Sequence, residues 1–380
     1  MKKKTIVISL ATMALLLALG LSPIAAQETV KIGYLTPLTG PGSLFGLTGR
    51  EGFILGLEDV NAKGGINGKK LEAITYDSQS KPTVAATLAQ RLMLEDKVPL
   101  IVVASGSVDV LAIAEVTERA KMPVFVCGSS SPVITEKGFK WVWRRSFNDR
   151  VCAEIIAKYA SSRPDWKRIA ILSENSDYGK PASEILANII KESKDREIVA
   201  MESYNRGDTD VSGQLMKIKK TNPDVLVTWG YHTEHALIAR QKQQIGMKAQ
   251  IIGNSTMIFP EYIKLGGAAV EGAILVGTEN SYINPDPRIQ AFGKRFEERY
   301  HHVPGLVTID NYDGAITVAE VLKAVEPVPE KIQQALNTMT FQGVAGPMKF
   351  DAKGQCIIRG ATIAKVEGGK HKFVELFKPE

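Results

Sequence analysis

The sequence predicts an α/β protein with two lobes, each built around a mostly parallel β-sheet. From residue 30 onward, short apolar segments alternate with amphipathic helical segments. Such strict alternation is typical of parallel sheets with right-handed crossovers. The alternation pauses in a less regular segment at residues 139–149 and then starts again. The roughly 350 residues after residue 26 also exceed one ordinary hydrophobic core. We therefore predict two lobes of similar length.

The first half contains short apolar runs that are rich enough in β-branched residues to be buried strands. These strands are predicted at residues 30–35, 70–76, 99–104 and 122–126. Helices are predicted between them, at residues 49–63, 82–96 and 108–120. The first helix follows a Gly/Pro-rich turn at residues 36–48 and ends at Gly64-Gly65, a common helix stop signal.

The second half follows the same order without a visible residue-level repeat. Strands are predicted at residues 167–173, 197–204, 224–229, 249–253 and 273–276. Helices are predicted at residues 150–162, 178–194, 211–221, 233–245 and 260–265.

The last part of the chain is too short for a third domain. It contains predicted helices at residues 286–300, 310–326 and 330–336, and predicted strands at residues 348–350, 358–366 and 373–377. Because these pieces must pack onto the two lobes, the chain is expected to cross between the lobes more than once. Repeated crossings build a hinge, which a closing clamp requires.

The N-terminus predicts export from the cytoplasm. Three lysines at residues 2–4 precede an apolar run at residues 5–21 and a small-residue segment that ends at Ala26, the pattern of a cleaved secretory signal. A transmembrane anchor would need about 20 apolar residues and usually a charged stop beyond them, and the segment has neither. We expect cleavage after Ala26 and a soluble, exported protein without a lipid anchor, because no cysteine lies near that position.

Charge and cysteine content narrow the function classes further. Loss of residues 1–26 removes three lysines and no acidic residue, so the formal charge falls from +6 to +3. A charge this small gives no argument for nucleic-acid binding. Cys127, Cys152 and Cys356 are an odd number, so at most one disulfide forms within the chain, and free buried thiols are an equal alternative.

A Gly/Ser-rich turn at residues 127–132 follows the predicted strand at residues 122–126. In open α/β sheets, ligands bind beyond the carboxyl ends of the strands, so backbone N–H groups and three hydroxyls at this turn suggest recognition of a small polar group. Most serine-rich turns only cap a helix or close a loop, so the turn alone does not identify a ligand site.

Several blocks of residues carry a family resemblance that covers nearly the whole chain after residue 26. They are residues 30–33, 36–41, 59–71, 76–77, 177–179, 222–224, 230–232, 343–347 and 351–354. The most specific block is Asn61 to Leu71, which reads NAKGGINGKKL. With these blocks the chain resembles the type I periplasmic solute-binding proteins of ABC importers, specifically the leucine/isoleucine/valine-binding branch.

The resemblance implies two Rossmann-like lobes joined by a three-crossover hinge, the architecture known as a Venus flytrap. It implies a first lobe at residues 27–148 and 279–354, and a second lobe at residues 149–278 and 355–380. The implied protein is a periplasmic monomer that holds a small ligand between the lobes and delivers it to membrane permease subunits. The same resemblance implies no cofactor and no metal.

The resemblance also implies which residues contact the ligand. In the first lobe, Ser107 and Ser130 would hold an α-carboxylate, with Ser129 in the same turn. The Gly128 carbonyl of the first lobe and Asp149, the first residue of the second lobe, would meet an α-ammonium group. Aromatic walls are expected at Phe45 and Tyr178, and Tyr231 and Ser255 of the second lobe would engage on closure.

The chemistry of these residue types fits a zwitterion. A buried carboxylate needs several donors, which hydroxyls and loop N–H groups supply without a permanent charge, whereas an ammonium needs acceptors. One alternative is that Asp149 only caps the helix predicted to start at Arg150.

The chain departs from the implied pattern at two places. Ser255 stands where amino-acid binders of this branch often have a Glu, and Ser80 and Gly106 occupy the expected disulfide positions. Because this Glu is missing, a second possibility is that the ligand is a carboxylic acid without an ammonium group. For an aromatic carboxylate, the candidates for ring packing would be Phe45, Tyr178, Trp229 and Tyr231.

Other signals are weak. The glycine-rich segment at residues 40–46 lacks the dinucleotide spacing and the Lys-Ser or Lys-Thr of a phosphate loop. His232 and His235 have no identified third metal ligand. No serine lies in a recognisable nucleophile motif, so we expect no enzyme activity. A transport receptor is favoured over a sensory receptor because no output domain follows.

Overall fold

The computed structural model describes residues 28–357 and 360–377, so the predicted signal peptide lies outside the described residues. Two separate β-sheets with helices packed around them form the architecture, which confirms the predicted fold class. Within the described residues, no helix is both long and apolar enough to cross a membrane. The exact boundaries of the two lobes stay a prediction.

The first sheet contains five parallel strands in the order β2-β1-β3-β4-β5. These strands are β1 (Thr29–Thr36), β2 (Lys70–Asp77), β3 (Ile101–Val103), β4 (Val124–Val126) and β5 (Val142–Arg144). The helices that connect them are α1 (Ser43–Ala62), α2 (Pro82–Leu94), α3 (Ser107–Arg119) and α4 (Val133–Glu136).

The second sheet contains seven strands in the order β14-β13-β10-β9-β8-β6-β7. Its strands are β6 (Arg168–Glu174), β7 (Glu197–Tyr204), β8 (Val225–Trp229), β9 (Gln250–Gly253), β10 (Ile274–Thr278), β13 (Ala361–Glu367) and β14 (Lys370–Phe377). β13 pairs antiparallel with both β10 and β14, and the other neighbouring strands pair parallel. Its helices are α5 (Asp149–Ser161), α6 (Gly179–Glu192), α7 (Ser212–Lys220), α8 (His232–Gln244) and α9 (Pro260–Gly266), with short 3-10 turns at Ser255–Ile258 and Gly267–Val270.

The remaining elements return to the first sheet. They are α10 (Pro287–Tyr300), α11 (Thr308–Ala324), α12 (Pro329–Thr338) and a two-stranded ribbon of β11 (Phe341–Gly343) and β12 (Gly346–Met348). Residues of α11, α12 and the ribbon share one buried core with β1, β3 and β4. The chain therefore passes between the sheets three times, before α5, before α10 and before β13, as the resemblance implied.

Two sequence-based boundaries in the first lobe were wrong. The helix expected at residues 49–63 begins at Ser43, inside the segment predicted to be a turn. Gly46, inside that segment, serves close packing rather than a turn, because a Cβ there would lie 1.9 Å from the Pro37 carbonyl oxygen. The segment expected to be irregular contains β5, which was missed because its three residues include the charged, fully buried Arg144.

One strand near the C-terminus is also shifted. The strand predicted at residues 348–350 is observed as β12, which ends at Met348, followed by an isolated bridge between Phe350 and Cys356. A second bridge pairs Gln355 with Arg144, so the third crossover starts at the edge of the first sheet.

Candidate ligand-binding site

A cavity lies between the two sheets, at the carboxyl ends of their strands. The space not filled by atoms is about 420 Å³, including the part open to solvent. Five of the predicted site residues line it from the first lobe, namely Phe45, Ser107, Gly128, Ser129 and Ser130. Three line it from the second lobe, namely Tyr178, Tyr231 and Ser255. The structure therefore brings together eight of the nine residues.

Ser107 is the first residue of α3, directly after Gly106, and three residues separate it from the end of β3. Its hydroxyl accepts a hydrogen bond from the Ser131 N–H at 3.3 Å, which ties the start of α3 to the serine-rich turn. The first N–H groups of a helix have no partner within the helix and attract negative charge. A ligand carboxylate beside Ser107 would therefore meet donors on a rigid element.

The sequence suggested that three free hydroxyls of the serine-rich turn after β4 would be available to a ligand. In the structure, each of these hydroxyls instead donates to an acceptor within the protein. Ser129 Oγ donates to the Ser105 carbonyl at 2.5 Å, and Ser130 Oγ donates to Asp149 Oδ2 at 2.8 Å. Ser131 Oγ donates to the Asp177 carbonyl of the second lobe at 2.6 Å. Each hydroxyl keeps its lone pairs, but its proton is already used by the protein.

The buried guanidinium of Arg144 fixes this turn by hydrogen bonds, a role that the sequence analysis missed. Its Nη1 donates to the Ser131 carbonyl at 2.5 Å, its Nη2 to Thr135 Oγ1 at 3.0 Å and its Nε to Gln355 Oε1 at 2.7 Å. Burial lowers the pKa of the guanidinium to about 10. An Arg directly after two apolar strand residues, Val-Trp-Arg, was the available signal for a buried charge.

Asp149 is completely buried but does not line the cavity. Its Oδ2 accepts from Ser130 and, at 3.1 Å, from the Trp229 indole N–H, while its Oδ1 accepts no hydrogen bond from any described residue. The side-chain cap of α5 is instead Asn148, whose Oδ1 accepts from the Arg150 N–H at 2.9 Å. Burial raises the pKa of Asp149 to about 6. Asp149 therefore stands behind Ser130, one layer from the ligand space.

Aromatic rings form two walls of the cavity. Phe45 lies against Gly128, where a Cβ would be 2.7 Å from Phe45 Cζ, so this wall requires glycine at position 128. On the second lobe, the rings of Tyr178 and Tyr231 have centroids 5.1 Å apart. Trp229 is not a wall residue, because its indole is fully buried against Asp149.

The two tyrosines are held by the second lobe's own loops. The Tyr178 hydroxyl donates to the Gly230 carbonyl at 3.2 Å and accepts from Asn254 Nδ2 at 2.6 Å. Arg206 lies over the Tyr231 ring, with its Cζ 3.9 Å from the centroid, a favourable cation–π contact at the cavity mouth.

Eight further lining residues were not predicted as site residues, and they include the polar residues Ser146, Thr278 and Asp310. Ser146 and Thr278 lie where the chain crosses between the lobes, and Asp310 is in the first turn of α11. Their positions follow from chain connectivity, and no sequence motif marked them.

The lobes are closed over the cavity. The Ser131 hydroxyl of the first lobe donates to the Asp177 carbonyl of the second. In addition, one buried apolar cluster contains residues of both lobes: Phe45, Leu306 and Val307 from the first, and Met257 and Ile258 from the second. A partly buried ligand space has a lower effective dielectric constant than bulk water, which strengthens the polar contacts made there.

The described residues contain no group of three or more His, Cys, Asp or Glu side chains arranged to hold a metal ion. His235 is buried, its Nε2 is 2.9 Å from Asn254 Oδ1, and burial lowers its pKa to about 4. Cys127, Cys152 and Cys356 are buried free thiols.

Comparison with known proteins agrees with this architecture. The family model described as "Periplasmic binding protein" matches residues 29–370. The chain belongs to this family. Among curated proteins, the "Leucine-, isoleucine-, valine-, threonine-, and alanine-binding protein" of Pseudomonas aeruginosa is 29% identical over 331 residues, covering 87% of each chain.

Two solved structures of this family superpose closely. One is the branched-chain amino acid transporter substrate-binding protein of Streptococcus pneumoniae in complex with isoleucine, with a TM-score of 0.84 and 26% identity. It covers 93% of this chain and 100% of the other. The other is a leucine-binding protein of Thermotoga maritima, with a TM-score of 0.84 and 28% identity, covering 92% of this chain and 99% of that one. The resemblance drawn from the sequence is confirmed.

Proposed function

We propose that this periplasmic binding protein is the receptor of an ABC importer and captures a branched-chain, aliphatic amino acid between its lobes. One observation carries the proposal: the closed cavity is lined by serine hydroxyls of the first lobe and by aromatic and aliphatic side chains of both lobes. The relative from Pseudomonas and the structure from Streptococcus, named for such amino acids, support it because each matches most of both chains.

The carboxylate of the ligand is proposed to lie at Ser107 and the turn of Ser129 and Ser130. No lysine, arginine or histidine is among the described residues that line the cavity. A carboxylate here would be held by the Ser107 hydroxyl, whose proton is taken by no acceptor among the described residues, and by backbone N–H donors of the turn and of the start of α3, which add no charge of their own. The start of α3 adds the favourable end of a helix dipole.

The ligand's side chain is proposed to lie among Phe45, Phe147, Leu306 and Val307. These residues are apolar, and burying a Val, Leu or Ile side chain among them is favourable by roughly 1.5–3 kcal/mol. The closed conformation is the one that the ligand would select, because a ligand shifts the equilibrium between open and closed forms only by its differential affinity for them.

A second candidate ligand is an aromatic carboxylate. The observation that favours it is the aromatic lining, with Phe45, Phe147, Tyr178 and Tyr231 around the cavity, together with Ser255 at the position expected to be acidic. In this alternative the carboxylate would keep the same serine contacts, and the ring would pack between the aromatic walls.

Delivery to membrane permease subunits, a periplasmic location and a monomeric state belong to the same proposal. They are supported by membership of the family and by the predicted signal peptide. A sensory receptor that reports ligand occupancy to another protein is the alternative role, and loss of uptake in a strain without this protein would separate the two.

The binding proposal is tested by thermal shift. The purified protein is unfolded and refolded to remove any retained ligand, then heated with leucine, isoleucine, valine or small aromatic carboxylates. A ligand at about 100 times its dissociation constant adds about 2.7 kcal/mol to the free energy of unfolding. Stabilisation by aliphatic amino acids supports the proposal, whereas stabilisation by aromatic acids alone would replace it with the second candidate.

A further inference from the structure

The cavity has a second polar region that the serine contacts do not use. We call Ser146, Thr278 and Asp310 the hinge end, because the first two lie on the crossovers between the lobes. All three line the cavity, and their exposed fractions are only 4%, 6% and 2%.

Asp310 has one carboxylate oxygen that the protein leaves unused. Its Oδ1 accepts from Asn280 Nδ2 at 2.8 Å and lies 3.6 Å from Arg145 Nη1. Among the hydrogen bonds of the described residues, none ends on its Oδ2. A buried carboxylate normally has its oxygens satisfied by donors, so Oδ2 requires a donor that the closed protein does not supply.

The charge around Asp310 is also unbalanced. The buried Arg145 is the ion-pair partner of Asp310 and also of Asp313, which it contacts at 3.0 Å, and it lies 3.7 Å from Glu279. Even with Glu279 left out of the count, two buried carboxylates share one guanidinium. A positive group in the cavity would correct this excess, whereas a second anion would increase it.

Two hydroxyls of the hinge end also lack a hydrogen-bond partner within the described part of the chain. Ser146 Oγ and Thr278 Oγ1 are buried and have no hydrogen-bond partner among the described residues. A primary ammonium carries three donors, and the hinge end offers three acceptors, Asp310 Oδ2 and the two hydroxyl oxygens. A neutral apolar group placed here would leave all three unsatisfied.

We propose that Asp310, together with Ser146 and Thr278, binds the ammonium group of the ligand. This inference rests on the proposed function, since it assigns the second charged group of an amino acid, and it selects against ligands that carry only a carboxylate. Asp310 is then a specificity-determining residue supplied by the first lobe, and Asp149 acts behind Ser130 without contacting the ligand.

Isothermal titration tests the assignment with two ligands and two variants. The ligands are leucine and 4-methylpentanoate, which is leucine without its amino group. The variants are Asp310→Asn and, as the matched control, Asp313→Asn, which also removes a buried partner of Arg145 but changes a residue that does not line the cavity. Melting temperatures of both variants are recorded.

Asp310→Asn is expected to weaken leucine binding by at least about 30-fold, because a buried charge loses its charged partner. It should change 4-methylpentanoate binding by less than about threefold, and Asp313→Asn should change leucine binding by less than about threefold. Equal losses in the two variants would overturn the assignment, because Asp310 would then act only through Arg145. Unchanged leucine affinity in Asp310→Asn would overturn it as well.

Failure of the proposed function gives a different result, because the unmodified protein would then bind no amino acid at all. If Asp310→Asn does not fold, Thr278→Val replaces it. That change removes an unpartnered hydroxyl and keeps the side-chain shape, so the protein should remain folded while leucine binding weakens about 3- to 10-fold and 4-methylpentanoate binding does not. Equal effects on both ligands would count against the hinge end as an ammonium site.

Discussion

The two polar ends of the cavity are built in opposite ways. At the serine end, formed by Ser107 and the turn at residues 128–131, the turn's three hydroxyl protons are donated to protein acceptors and a buried Arg144 fixes the backbone. At the hinge end, two hydroxyls and one carboxylate oxygen accept nothing from the described residues. The first end is therefore preorganised by the protein, and the second is completed by what binds there.

The two ends should therefore contribute differently to the stability of the protein and to ligand binding. Buried polar groups that are satisfied rigidify a site, whereas unsatisfied ones cost free energy until a partner arrives. Changes at the serine end that remove these internal hydrogen bonds should therefore affect folding. Removal of the two unpartnered hydroxyls of the hinge end should affect binding and ligand choice while leaving the empty protein as stable as before, or more so.

The largest effect is expected at the anchor of the serine end. Arg144→Met should lower the free energy of unfolding by about 3–5 kcal/mol, because the buried acceptors Ser131 O, Thr135 Oγ1 and Gln355 Oε1 lose their donor. Urea unfolding followed by circular dichroism measures this loss. The matched control is Arg150→Met, which breaks a part-exposed pair with Glu136 and should cost less than about 1 kcal/mol. Similar losses in both variants would mean that Arg144 does not organise the turn.

The next effect compares two neighbouring serines of the same turn. Ser130→Ala should weaken leucine binding by about 1–3 kcal/mol, because it removes the hydroxyl between Asp149 and the cavity. Ser129→Ala should leave the affinity nearly unchanged, since its hydroxyl donates away from the ligand to the Ser105 carbonyl. Titration calorimetry with leucine measures the dissociation constants of both variants and of the unmodified protein. Equal affinities for Ser130→Ala and the unmodified protein would remove Ser130 from the site.

The positions of these serines show how far the sequence alone could lead. Alternating strands and helices predicted the parallel sheets, and the serine turn after β4 predicted the correct edge of the sheet. The direction of each hydroxyl could not be predicted, because it depends on partners such as Ser105, Asp149 and Asp177 that lie 19 to 46 residues away. Local patterns carry no information about which distant acceptor a side chain meets.

The hinge end was missed for a related reason. Ser146, Thr278 and Asp310 come from three distant parts of the chain, and none of them belongs to a motif. Asp149, by contrast, was predicted to contact the ammonium group of the ligand, but it does not line the cavity and lies behind Ser130. A first-turn acidic residue looks the same in sequence whether it caps its helix, lines a cavity or supports a neighbour.

A smaller effect is expected from pH. Burial raises the pKa of Asp310, the proposed partner of the ammonium group, above its ordinary value, and Arg145 and Asn280 act against the shift. A bound ammonium favours the ionised carboxylate, so leucine affinity should rise as the pH increases from 5 to 7, by up to about tenfold. Neither charged group of leucine titrates in that interval.

Affinity measured by calorimetry across this interval tests the direction. 4-Methylpentanoate serves as the control ligand, because without an ammonium group its affinity should stay level or fall as Asp310 ionises, once the fraction of this ligand that is itself protonated near pH 5 is subtracted. A rise of equal size for both ligands would show that the pH dependence comes from the protein's closure and not from charge at the hinge end.

The smallest effect concerns the Ser131 hydroxyl, which joins the serine end of the first lobe to Asp177 of the second lobe. Ser131→Ala removes the hydrogen bond to the Asp177 carbonyl, which exists only when the lobes are closed. A typical intramolecular hydrogen bond contributes about 0.5–1.5 kcal/mol, so leucine should bind roughly 2- to 10-fold more weakly. Because the bond is made in the closed form alone, the loss should appear mainly as faster ligand release, measured by stopped-flow fluorescence. A slower association rate with unchanged release would instead place Ser131 in the first encounter with the ligand, and the serine end would then act before closure rather than through it.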